Sequence, residues 1–444
     1  MGQNAVTPIE VSSNNNLCGV LSGSGDKSIS HRALIIAALS AGCSRLTGLL
    51  MSDDVRCTIE ALRQLGIQIS EPEGSSVFVH GAGIGGLIDP VGPLNLGNSG
   101  TAARLLMGVV AGNPIEAVFI GDESLSRRPM GRVVGPLTDM GASISLSKSG
   151  GLPATVKGKD SLLPIEYHLP IASAQVKSSI LLAGLHCPGV TSVTEDRRTR
   201  DHTENLLAKF GADVQVEALN GGHHICISGQ PELVPQDLVI AGDPSSAAFP
   251  IVAALLTKDS EVCVKGVGVN RTRMGLFDCL REMGADLQVI SRGAVGGEPV
   301  ADITARTSAL KGINVSADRA PSMIDEYPIL AVAAACADGA TVMQGLGELR
   351  VKESNRFASI VEGLTKCGVK VEEEGDVMTI IGGESRASWR QMPKILTHGD
   401  HRIAMAFFVM GLTCPYPITI DDMSMVATSY PGFADDMALL GVRL

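Results

Sequence analysis

Cations at the starts of apolar segments are the residues of this chain best placed to do chemistry. Lys27 and Arg32 stand in Gly25-Asp26-Lys27-Ser28-Ile29-Ser30-His31-Arg32, Arg104 follows Asn98 and Gly100, Arg127 and Arg128 precede Pro129, and Lys177 follows Ser173 and Gln175. Arg200 lies in TRDHTE, Lys352 and Arg356 in LRVKESNR, and Arg402 in GDHRIAM. A helix N-terminus offers free N–H groups and partial positive charge to an anion, worth about 0.3–1 kcal/mol, and each charge-assisted hydrogen bond adds about 1.5–3 kcal/mol. Taken singly, such residues are more often surface charges. Converging on one cleft, they would bind a multiply charged anion.

Two acids stand beside these cations. Asp325 sits in SMIDEYP, and Glu353 lies between Lys352 and Arg356. Nearby cations keep a carboxylate ionised while burial raises its pKa, so the pair could supply a base and an acid to one site. The structural alternatives are a helix cap for Asp325 and an i,i+3 partner of Arg356 for Glu353. Asp26 replaces the glycine that a phosphate-binding loop requires before Lys-Ser, which argues against a nucleotide triphosphatase. His398 and His401 lack a third ligand nearby, and neither a nucleophile elbow nor a zinc-protease helix appears, so no metal is expected.

The elements that must position these residues recur six times. A bulky or apolar residue, a glycine, a small or branched residue, any residue and an aliphatic form Leu65–Ile69, Met140–Ile144, Phe210–Val214, Met283–Leu287, Cys367–Val371 and Leu440–Leu444. Each follows an amphipathic stretch such as DDVRCTIEALRQ, so the glycine is expected to stop a helix in the left-handed conformation and a strand to follow. Ahead of each glycine by 38 to 43 residues begins a segment too apolar to have a wet face, starting at Asp26, Asn98, Ser173, Asp243, Asp325 and Asp400. These are six buried helices whose capped first turns should meet a common, anion-binding surface.

With 444 residues the chain is too long for one core, and three repeats make a domain of ordinary size. The expected domains are 21–240 and 241–444, with residues 1–20 joining either one. Short connections predict a cleft between two similar lobes. Hydrophobic residues make up 45% but aromatics only 3%, so small side chains dominate the packing. The net charge of −11 argues against a general nucleic-acid or anionic-membrane surface. Ten scattered cysteines read as reduced thiols of a cytoplasmic protein, and neither a signal peptide, a myristoylation pattern nor a membrane-spanning run is evident.

Together, GDKSISHRA, LGNSGTAAR, RRPMGR, SAQVKS, TRDHTE, GDPSSA, PSMIDEYP, LRVKESNR and GDHRIAM resemble, in order and over nearly the whole chain, the motifs of the 5-enolpyruvylshikimate-3-phosphate synthases. The resemblance implies transfer of the enolpyruvyl group of phosphoenolpyruvate to the 5-hydroxyl of shikimate 3-phosphate, on the route to chorismate, in a cytoplasmic monomer without metal or organic cofactor. It also implies an α/β fold, an inside-out α/β barrel in each of two domains with three βαβαββ repeats apiece. Residues 1–20 would then join the second domain, with hinge strands near 20 and 241. By motif, Lys27, Ser28, Arg32, Ser173, Gln175, Arg200, Asp325 and Lys352 would hold shikimate 3-phosphate. Lys27, Asn98, Gly100, Arg128, Gln175, Arg356 and Arg402 would hold phosphoenolpyruvate. Asp325, Glu353 and Lys27 would be catalytic, with Asp325 as base and Glu353 as proton donor.

One departure separates this chain from many relatives, which carry lysine where Thr428 stands in Ala427-Thr428-Ser429-Tyr430-Pro431. With SAQVKS and TRDHTE, this resembles the bacterial branch that lacks the lysine. The rival transferase acting on UDP-N-acetylglucosamine would need a reactive cysteine loop, and Asp122–Arg132 contains no cysteine. A ring-clamp scaffold is the non-enzymatic alternative, and it would not need charged helix starts.

Overall fold

The computed structural model describes residues 8–383 and 392–443. Its contacts divide them into two compact units. The first lobe is Gly25–Ala241 with Ala294–Glu298; the second is the described residues through Ser24, Gly242–Gly293 and those from Pro299 on.

The helices that recur once per repeat alternate in character along the chain. They are α1 (Lys27–Ala38), α2 (Asp53–Gln64), α3 (Gly100–Ala111), α4 (Gly131–Asp139), α5 (Ala174–Gly184) and α6 (His202–Lys209) in the first lobe. The second lobe holds α7 (Pro244–Leu256), α8 (Gly275–Glu282), α9 (Tyr327–Cys336), α10 (Arg356–Lys366), α11 (His401–Gly411) and α12 (Phe433–Leu439). Odd-numbered helices are buried on nearly every face, as a helix without a polar stripe must be. Even-numbered helices end on Gly66, Gly141, Gly211, Gly284, Gly368 and Gly441, whose φ values of +82° to +109° suit a residue without Cβ. At each stop the next residue donates back across the turn, as in Ile67 N–H to Leu62 O at 3.0 Å and Val369 N–H to Leu364 O at 3.0 Å. Leu444, which would complete the sixth phrase, lies outside the described residues.

Among the described residues each repeat brings one four-stranded sheet, except the sixth, whose sheet has three strands. Leu94–Asn95 lies parallel to Glu116–Ile120, which pairs antiparallel with Ala154–Lys157, followed by Ser143–Leu146. In the first repeat the parallel strand comes from the far end of the lobe, Asp237–Val239 against Ala41–Thr47. The second lobe closes likewise: Cys18–Ser22 runs parallel to Glu261–Gly268, and Ile9–Val11 runs antiparallel to Ile418–Ile420 in the three-stranded sixth sheet. The N-terminal segment thus completes two sheets of the second lobe. Val6 and Thr7, just ahead of Ile9–Val11, lie outside the described residues.

Each lobe has its own apolar core. In the first, α3 packs along α5 so closely that a Cβ on Gly108 would lie 2.3 Å from Ser179 O. In the second, α9 packs against α11, and alanines of both helices such as Ala333 and Ala404 are fully buried.

Two helix starts differ from expectation. Ser99 rather than Asn98 caps α3, accepting from Ala102 N–H at 3.2 Å. Asp325 is not a cap: a short helix, Ala320–Met323, precedes it, and α9 begins at Tyr327. Asp26, Ser173, Asp243 and Asp400 do cap their helices.

Candidate active site

In the first lobe, the one-turn spacing of Ser28 and Arg32 places both on one edge of α1. Arg32, 3% exposed, donates through Nη1 to Ser28 O at 3.0 Å, Nη2 to Ser178 Oγ at 2.9 Å and Nε to Thr203 Oγ1 at 2.7 Å. Its guanidinium therefore ties the starts of α1 and α6 to α5. Arg200 donates to Ser28 Oγ at 3.4 Å, and Lys27 pairs with Asp54 at the start of α2 at 3.0 Å. His31, buried between Thr58 Oγ1 at 2.7 Å and Ser99 Oγ at 3.5 Å, is depressed to about 3 by burial and then by the charges of Lys27 and Arg32. It is a neutral spacer between α1, α2 and α3.

A second set surrounds the start of α3. Arg128 donates to Asn98 Oδ1, and Asn98 donates to Asp122 at 2.6 Å. Arg104 reaches Gln175 Oε1 at 2.9 Å, Gly100 O at 3.3 Å and Pro129 O at 3.2 Å, while Gln175 donates to Thr101 Oγ1 at 2.9 Å. Arg104 thus joins Gly100 and Gln175, Arg128 holds Asn98, and the ends of both arginines flank Gly100. Ser173 caps α5 through Val176 N–H at 3.4 Å.

Two sequence candidates fall elsewhere. Lys177 is fully buried, paired with Glu195 at 3.1 Å and Glu204 at 2.7 Å, and serves the interior of the lobe. Arg127 is exposed and pairs with Glu123 one turn away at 2.9 Å. Charge type and spacing look the same for all these cations; only their tertiary partners separate them.

The second lobe is organised differently. Arg356, 0% exposed at the start of α10, meets Asp400 at 2.7 Å, Asp325 at 3.1 Å and Glu353. Burial alone works against its charge, and Asp400, Glu353 and Asp325 together more than reverse that, raising its pKa. Asp400 also accepts from Arg402 N–H at 2.9 Å and Ser354 Oγ at 3.1 Å, so one carboxylate caps α11 and anchors Arg356. Arg402 Nε lies 3.7 Å from Asp325 Oδ1. Burial pushes the half-buried Lys352 ammonium down, with Asp325 opposing and Arg356 reinforcing the shift. Asp325, Lys352, Glu353, Arg356 and Arg402 therefore form one coupled group. Thr428 Oγ1, at the position of the relatives' lysine, lies 3.4 Å from His401 Nδ1.

His398 contacts Glu362 at 3.3 Å, whereas His401 contacts Thr428. A different trio, Asp201, His202 and Glu298, has donor atoms within 4.8 Å of one another. Its atoms are engaged in protein contacts: His202 Nδ1 with Glu298 Oε1 at 2.7 Å, and Asp201 with Arg198 at 2.7 Å. That arrangement explains the trio as a hydrogen-bonded cluster.

Six repeats split between two lobes, with buried helices opening on polar starts, define an enolpyruvyl-transferase fold. The same fold occurs in the enolpyruvyl transferase NikO of Streptomyces tendae, which aligns with a TM-score of 0.76 over 98% of both chains at 19% identity. The family model described as EPSP synthase (3-phosphoshikimate 1-carboxyvinyltransferase) matches residues 11–437, and the chain belongs to that family. A protein of Parvibaculum lavamentivorans named 3-phosphoshikimate 1-carboxyvinyltransferase is 53% identical over 96% of this chain and 94% of its own length. One of that name from Sphingopyxis alaskensis is 50% identical over 98% of each. A structure of the EPSP synthase of Acinetobacter baumannii aligns with a TM-score of 0.84 and 42% identity, over 98% of this chain and 99% of that one. These relationships do not favour the UDP-N-acetylglucosamine alternative. Among the described residues, no helix is long and apolar enough to cross a membrane.

Proposed function

We propose that the chain is a 3-phosphoshikimate 1-carboxyvinyltransferase, moving the enolpyruvyl group of phosphoenolpyruvate to the 5-hydroxyl of shikimate 3-phosphate with release of phosphate. The observation that carries this reading is the Arg356 group, in which one buried guanidinium gathers two candidate proton carriers, Asp325 and Glu353. Lys27, Ser28, Arg32, Ser173, Gln175 and Arg200 hold shikimate 3-phosphate, with Asp325 and Lys352 at its reacting hydroxyl. Lys27, Asn98, Gly100, Gln175, Arg128, Arg356 and Arg402 hold phosphoenolpyruvate.

In the reaction, Asp325 removes the 5-hydroxyl proton as that oxygen bonds to C2 of phosphoenolpyruvate, and Glu353 delivers a proton to C3. C2 of this enol phosphate becomes electrophilic only as C3 is protonated, which is why an acid and a base are needed together. Glu353, left as the carboxylate, then takes a proton back from C3 of the tetrahedral adduct as the C2–O bond to phosphate breaks, regenerating the double bond and releasing phosphate. Lys27, Arg128, Arg356 and Arg402 stabilise the charge on phosphate and carboxylate throughout. Phosphate release that requires both substrates is the expected result, and purified, folded protein giving none would refute the assignment.

A further inference from the structure

Asp325 has an acidic neighbour with its own buried environment. Glu326, 2% exposed, accepts from Ser245 Oγ. The same hydroxyl receives Arg273 Nη2 at 2.8 Å, and Arg273 also binds Asp243 Oδ1 at 2.9 Å. Asp243 caps α7 through Ser245 N–H at 2.8 Å. Arg273, Asp243 and Ser245 are each 4% exposed or less. The start of α7 therefore carries an internal guanidinium, unlike the general anion surface expected for all six helix starts.

This network and the Arg356 group grip one turn by adjacent residues. Asp325 reaches Arg356 and Arg402, while Glu326 reaches Ser245 and, through it, Arg273. Between the short helix ending at Met323 and α9 beginning at Tyr327, the turn is also tied by Glu326 N–H to Met323 O at 2.9 Å and by Leu330 N–H to Glu326 O at 2.9 Å. A carboxylate on so short a turn is aimed by whatever fixes its backbone. Buried hydrogen bonds with charged partners are the strong kind.

We infer that Glu326, held by Ser245 and Arg273, is a positioning residue that orients the Asp325 carboxylate. The inference rests on Asp325 being the base of the proposed reaction. Misplacing a reacting group by about 1 Å can cost on the order of 10²-fold in rate. Glu326→Ala should therefore lower kcat roughly 10²-fold with much smaller changes in KM for either substrate. Glu326→Gln, which keeps an acceptor for Ser245, should recover most of that loss.

The decisive comparison is made in an Asp325→Asn background. There Glu326→Ala should cost little further rate, because its effect passes through a carboxylate already removed. Full multiplication of the two losses would overturn the proposal, as would wild-type kcat in folded Glu326→Ala. Should Glu326→Ala fail to fold, Ser245→Ala provides the gentler test: reduced kcat at retained KM and melting temperature supports the proposal, and unchanged kcat overturns it. Near-normal turnover of Asp325→Asn alone would instead strike at the assigned base, a failure distinguishable from that of Glu326.

Discussion

The arginines of the two lobes are satisfied in different ways. Arg32 directs its described bonds to two hydroxyls and a carbonyl, and Arg104 to two carbonyls and an amide. Arg356 directs its bonds to three carboxylates. Neutral acceptors orient a guanidinium without cancelling its charge, whereas carboxylates do both. One repeat, used six times, thus sets Arg32 and Arg104 against hydroxyls, carbonyls and an amide in their described bonds in the first lobe and gathers three carboxylates around Arg356 in the second. Lys177 gives the contrast within the first lobe, since two carboxylates make it an interior residue.

The largest effect should come from the acid–base group. Asp325→Ala is expected to lower kcat by about 10²–10⁴-fold, the usual range for a positioned proton carrier, as measured by phosphate release. Because Asp325 is not a cap, the stability change should follow its lost ion pair with Arg356, with α9 retained by circular dichroism. Arg356→Met removes the shared partner of three acids and should destabilise the fold by about 3–5 kcal/mol, read from denaturant unfolding. A stable variant would show that the acids do not depend on this cation.

Smaller changes should appear in the first lobe. A Cβ at position 100 would stand 2.8 Å from Arg104 Nη1 and 3.0 Å from Arg128 Nη1. Gly100→Ala must therefore push two arginine ends aside, in addition to narrowing any pocket. Loss of one charge-assisted bond corresponds to roughly 10- to 100-fold in affinity, expected for glyphosate, which the family resemblance implies competes with phosphoenolpyruvate, with a lesser rise in KM for phosphoenolpyruvate itself. Equal losses would count against a size-setting role for Gly100. Thr203→Val deletes one neutral acceptor of Arg32 and should raise KM for shikimate 3-phosphate only about 2- to 10-fold at constant kcat. A kcat effect of similar size would blur the division between the lobes.

Much of this was legible in local sequence. The left-handed glycine stops and the caps at Asp26, Ser173, Asp243 and Asp400 follow from short-range chemistry. The misplaced cap at Asn98 arises where two capping residues, Asn98 and Ser99, stand together, and that at Asp325 where the short helix Ala320–Met323 runs into the turn before α9. Closure of the second lobe's sheets by Cys18–Ser22 and Ile9–Val11 depends on pairings far apart in the chain. So does the difference between Lys177 and Arg32, whose local settings are alike. Arg273 and Glu326 carried no signal of their own, because a buried ion network has no fixed spacing.

The division of labour is tested most directly by measuring shikimate 3-phosphate affinity and turnover in parallel for Asp325→Asn and Arg32→Lys, by calorimetry and phosphate release. Asp325→Asn should keep most of its affinity while turnover falls by about 10²–10⁴-fold, and Arg32→Lys should lose chiefly affinity, because a lysine cannot reproduce the guanidinium fork. If Asp325→Asn instead loses affinity and turnover in equal proportion, or turns over normally, the acid–base role given to the Arg356 group is wrong.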